Sequence, residues 1–152
     1  MKWYYFLLAG AVVLDTAVLP WLVGVSWLPQ VVLMVLPFIF LRLERRDLYV
    51  IFTLVLVYLR TVSDFNLGIL FLALLSLLFF EKWFLVNFFH KDAWQTLALS
   101  GFGVVVFYLV LGGASSLLTP NVFYLNIATI IAIVLSSLGS SGINFLFRKF
   151  ST

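Results

Sequence analysis

Asp15 and Arg60 are charged side chains set inside long apolar runs, and no other residues of the chain have a setting so suggestive of chemistry. A charge held within a bilayer costs roughly 3 kcal/mol or more unless it finds water or a partner. Such residues in membrane proteins line polar pathways, bind ions or protons, or pair with each other. Asp15 lies thirteen residues beyond Lys2, and Arg60 thirteen beyond Asp47. At about 1.5 Å per residue both reach roughly 20 Å from one surface. Two arrangements fit that matched depth. In the first, the two face the bundle interior and approach each other, or each finds a partner nearby. In the second, Arg60 snorkels outward to Asp64, four residues on, while Asp15 tops a water-filled dip. Asp15, Arg60 and Asp64 are thus the candidate intramembrane polar residues.

The remaining polar residues suggest packing more than catalysis. Ala132, Ser136 and Ser140 recur every four residues, with Gly139 beside them. That spacing lets helices approach closely, within one bundle or against a partner protein. Packing within the bundle is the favoured reading, and a partner-docking face is the functional one. Gly101, Gly103, Gly112 and Gly113 invite the same two readings. His90 is the only histidine, flanked by Lys91 and Asp92, and reads as a surface loop residue. With no cysteine in the chain, thiolate metal sites, disulfides and thiol nucleophiles are excluded. No Ser-His-Asp set or Gly-rich phosphate loop can be assembled. No catalytic residue, cofactor or metal site is expected.

The elements that must position these residues follow from hydropathy. The chain is 64% hydrophobic and 10% charged, with a mean hydropathy of +1.20. A soluble domain of this size leaves too much surface in water to hide that composition. Long apolar runs without alternation point to helices and away from a β-barrel. The expected fold is all-α: a single-domain polytopic membrane bundle with six transmembrane helices over residues 3–20, 27–43, 48–62, 67–80, 93–111 and 122–147. Pro37 falls mid-span and should kink the second. Residues 1–17 are read as a retained first span, since no small-residue cleavage site follows them. Residues 42–47 form a solvated charged loop, Glu81 and Lys82 mark a membrane surface, and Gly112-Gly113 end the fifth span. Six spans put eight of the nine basic residues on one side, leaving only Arg60 opposite. The positive-inside rule then places both termini in the cytoplasm. The net charge of +3 is therefore an orientation signal, and no nucleic-acid partner is expected.

Three short stretches carry a family likeness: Leu14-Asp15 followed by Leu19-Pro20, Leu28-Pro29-Gln30-Val31-Val32-Leu33, and Val62-Ser63-Asp64-Phe65-Asn66-Leu67-Gly68. With the six-span plan they resemble the rod shape-determining MreD family. There a Pro-Asp pair opens the second span, where this chain has Gln30. The resemblance covers the first half of the chain, and the second half by topology alone. It implies a non-catalytic scaffold subunit in the bacterial inner membrane, embedded in lipid. Its partners would be MreC-like and other cell-wall elongation proteins, with no small-molecule ligand. The family likeness also suggests a fold like the substrate-binding subunits of energy-coupling-factor transporters. That gives the alternative function, capture of a small molecule by outward polar groups such as Asp15, Arg60, Asp64, Asn66, Asn121 and Asn126.

Overall fold

The computed structural model describes residues 3–18, 30–84, 87, 93–118 and 127–150. Among these there are six helices and no strand. Helix α1 is Trp3–Val13 and runs into a π turn, Leu14–Val18. Next come α2, Gln30–Arg42, and α3, Arg45–Val62. Helix α4 is Leu67–Phe79 and runs into a second π turn, Phe80–Phe84. Two long helices complete the bundle, α5 (Ala93–Leu118) and α6 (Ile127–Phe150).

Helix α2 is the hub. Its residues are apolar on every face, as befits a helix enclosed on all sides. Val32, Leu33, Val35, Leu36, Phe38, Ile39 and Phe40 are all buried. Helices α1, α4, α5 and α6 all pack against it. Pro37 lies inside α2, where it withholds one N–H from the helix ladder. Helices α5 and α6 form the most extensive pair, and α4 packs on α5. Helices α3 and α4 form a hairpin across the turn of Ser63–Asn66. Ser63 N–H closes α3 onto the Leu59 carbonyl, and the Asn66 side chain caps α4 by accepting from Gly68 N–H at 2.9 Å.

Two helix boundaries that depart from the sequence expectation have a local reason. Arg45, Arg46 and Asp47 form the first turn of α3, not a loop, because Asp47 continues the buried stripe of Ile51, Val55 and Leu59. Helix α5 does not stop at Gly112-Gly113 but continues to Leu118. There the Ser115 hydroxyl donates to the carbonyls of Leu111 and Gly112, and Ser116 to that of Gly113.

The outside of the bundle is apolar. Tyr49, Leu54 and Val57 of α3, Phe71 and Phe79 of α4, Leu109 and Leu117 of α5, and Ile131 and Leu138 of α6 are all exposed. One stretch, Ser100–Leu118, is long and apolar enough to cross a membrane, while Trp3–Ala17, Val31–Arg42 and Ile130–Leu146 are shorter apolar helices.

Candidate functional site

The π turn after α1 sets the position of Asp15. A π turn adds a residue to the helical repeat and often marks a functional or strained position. Leu8, Ala11 and Asp15 share the buried face of α1, and Asp15 is itself buried. Its two carboxylate oxygens accept from the first turn of α2: Oδ1 from Val31 N–H at 2.9 Å, and Oδ2 from Val32 N–H at 2.8 Å. A helix start has unsatisfied N–H groups and a partial positive charge, so a carboxylate there is doubly favoured. The buried hydroxyls of Tyr108 of α5 and Ser136 of α6 have no hydrogen-bond partner of ordinary geometry among the described residues.

Arg60 answers a local demand as well. Its Nη1 donates to the carbonyls of Ser63 at 3.4 Å and Phe65 at 3.2 Å, holding the α3–α4 turn. These bonds go to backbone oxygens, and the exposed Asp64 carboxylate takes no part in them. Asp15 and Arg60 are therefore each satisfied by backbone close at hand.

The small residues of α6 face their own bundle. Ser136 and Ser140 are fully buried, and the Ser140 hydroxyl donates to the Ser100 carbonyl of α5 at 3.4 Å. Gly139 lies against Met34 of α2, and Gly101 against the Ser137 backbone. Ala132, one turn before Ser136, is half-buried.

The sequence reading sets Glu81 at a membrane surface, and the structure buries it instead. The second π turn carries it inward, where it is fully buried between α2, α4 and α5. Neither carboxylate oxygen has a hydrogen-bond partner among the described residues. Oε1 points at Gly103, whose lack of a side chain makes room for it. Glu81 lies one residue past the fourth apolar run, and burial pushes its carboxyl from 4.5 up to about 8. The signal was present in the spacing, since Leu70, Leu74 and Leu77 lead to position 81 along one helical face. Its neighbour Lys82 points the other way, and its Nζ donates to the Leu43 carbonyl at the end of α2, at 2.8 Å.

Among the described residues no three His, Asp or Glu side chains gather where a metal ion could be held. His90, Asn121 and Asn126 lie outside the described residues. No family model matches the chain, and neither a curated protein nor a solved structure matches it.

Proposed function

We propose that this chain is an integral membrane scaffold: a lipid-embedded six-helix bundle with both termini in the cytoplasm, without catalytic function. The observation that carries the membrane half of this reading is the extent of the apolar exterior, together with polar side chains turned inward. Leu109, Leu117 and Leu138 face outward, while Asp15, Glu81, Ser136 and Ser140 are buried. In water that arrangement would leave a large apolar exterior exposed. In lipid the apolar exterior meets hydrocarbon, and the polar groups turned inward are kept from it. The shorter apolar helices require local thinning of the bilayer or cover from a partner.

The scaffold half rests on how the outward polar groups are used. Asp15 caps α2, Arg60 braces the α3–α4 turn and Asn66 caps α4. Groups committed to their own backbone are poor ligand-binding groups, which favours a scaffold over the small-molecule transport subunit. The likeness to the MreD family then suggests the setting, the cell-wall elongation machinery of a rod-shaped bacterium, with an MreC-like membrane protein as the direct partner.

Two experiments test these halves separately. Reporter fusions at each end of the chain should both report the cytoplasm, and reporters on opposite sides would overturn the topology. Affinity purification in mild detergent should recover MreC-like cell-wall proteins. Recovery of an ATPase pair with a bound small molecule would replace the scaffold with the transport subunit.

A further inference from the structure

The end of the α3–α4 hairpin opposite its turn carries a basic groove, in which Lys82 spends one of its three N–H donors on the Leu43 carbonyl and keeps two. A groove of about 500 Å³ runs between the first turns of α3 and the last turns of α4. Arg45 and Lys82 line it where the two helices end, and among the described residues no acid lines it. Glu44 is exposed nearby outside the groove, and Asp47 is turned into the bundle. Farther along, the lining is apolar: Leu48 from α3, with Leu75, Leu78 and Phe79 from α4. Trp83 lines the groove beside Lys82 and stacks on Phe79, with ring centroids 5.1 Å apart. Leu75 precedes Lys82 by seven residues, so the apolar part extends roughly 10 Å from the cations along the helix.

We infer that this groove binds one anionic glycerophospholipid, its phosphate between Arg45 and Lys82 and an acyl chain over Leu48, Leu78 and Leu75. The choice of occupant follows from charge and polarity together. Two cations, with no acid among the described lining residues, favour an anionic headgroup over a zwitterionic one. An apolar channel continuing from the cations accepts a hydrocarbon chain, which free phosphate or a soluble anion does not supply. Trp83 beside the cations fits such an occupant, because tryptophan favours the layer between headgroup and hydrocarbon. The Arg42 guanidinium does not line the groove and lies over the Phe38 ring, 4.6 Å from its centroid. The inference rests on the membrane half of the proposed function and is independent of the scaffold half.

Native mass spectrometry of the full chain, purified in detergent and offered equal phosphatidylglycerol and phosphatidylcholine of matched chain length, tests it. The expected result is one tightly held phosphatidylglycerol, preferred on the order of tenfold over phosphatidylcholine. Replacing the cations, R45Q with K82Q, should bring the two lipids to parity. A second variant, L75W, leaves both charges in place and fills the apolar channel, and should also abolish the single tight adduct. Equal retention of both lipids by the unaltered chain, or a preference that survives both variants, overturns the inference. Recovery of the chain from cells without detergent would instead overturn the membrane reading beneath it.

Discussion

Gly103 of α5 lies so close to the Glu81 carboxylate that the two positions cannot both carry a full side chain. A β-carbon at 103 would overlap Glu81 Oε1, and would sit 3.1 Å from Leu77 Cδ1 and 3.2 Å from Glu81 Cδ. Because Glu81 is fully buried, its side chain has little room to retreat. G103A is therefore expected to destabilise the bundle by about 1–3 kcal/mol, the usual cost of overpacking. Thermal unfolding in detergent measures it. Adding E81A to G103A should recover much of the loss, and strictly additive effects of the two changes would refute the direct clash.

The same carboxyl makes stability depend on pH, in the sense opposite to most acids. Burial raises Glu81 from 4.5 to about 8, so the folded protein holds a proton that the unfolded chain releases between those values. Where the folded state binds more protons, stability falls as pH rises. The contribution of Glu81 is thus least unfavourable at the acid end of that window and most unfavourable above about 8. E81Q keeps the shape of the neutral acid and cannot ionise. Denaturation midpoints at pH 5 and pH 8 should differ for the unaltered chain by more than for E81Q. Equal differences in the two proteins would show that Glu81 does not titrate in this window.

The run lengths made the all-helical class and the six helices legible in the sequence, because an apolar run long enough for four or more turns leaves little choice of element. The partners of the charged residues were less legible. Asp15 and Arg60 stood out by being charged among apolar neighbours, yet their bonds go to the backbone of Val31, Val32, Ser63 and Phe65. Backbone donors and acceptors are present at every residue and leave no trace in composition. Glu81 and Asp47 were hidden differently. Each adjoins basic residues that suggest a solvated surface, and each continues a buried stripe, Leu70-Leu74-Leu77 in one case and Ile51-Val55-Leu59 in the other. Periodicity was the better guide there, and local charge the poorer one.

Asp15 ties α1 to the hub of the fold, so its loss should be felt throughout. D15A strands the Val31 and Val32 N–H groups at the start of α2 and is expected to cost about 1–2 kcal/mol, as for a lost helix cap. D15N retains one oxygen acceptor and should cost less. The charge exchange D15R with R60D is expected to restore nothing, because each residue serves its own stretch of backbone. Yield and melting temperature in detergent read all three variants. A double exchange that recovers the unaltered values would establish a direct Asp15–Arg60 partnership instead.

Four glycines rank the closeness of the helix contacts. A β-carbon at Gly101 would meet the Ser137 carbonyl oxygen at 2.8 Å, with the Ser137 and Ser141 hydroxyl oxygens at 2.9 Å and 2.6 Å. Backbone cannot step aside as a side chain can, so G101A should push α5 from α6 and cost about 1–3 kcal/mol. At Gly139 the obstructing atoms belong to the flexible end of Met34. Methionine re-packs readily, so G139A should cost less than G101A. Gly113 and Gly142 have nothing within 4 Å of a β-carbon. There alanine fills open space on a helix and should be neutral or stabilise by up to about 1 kcal/mol. Melting temperatures of the four single variants should therefore rise in the order 101, 139, then 113 and 142 together. If G139A proved harmless to stability but G142A or G113A alone weakened recovery of a partner protein, the exposed small residues would be docking positions, and the inward-facing ones packing positions only.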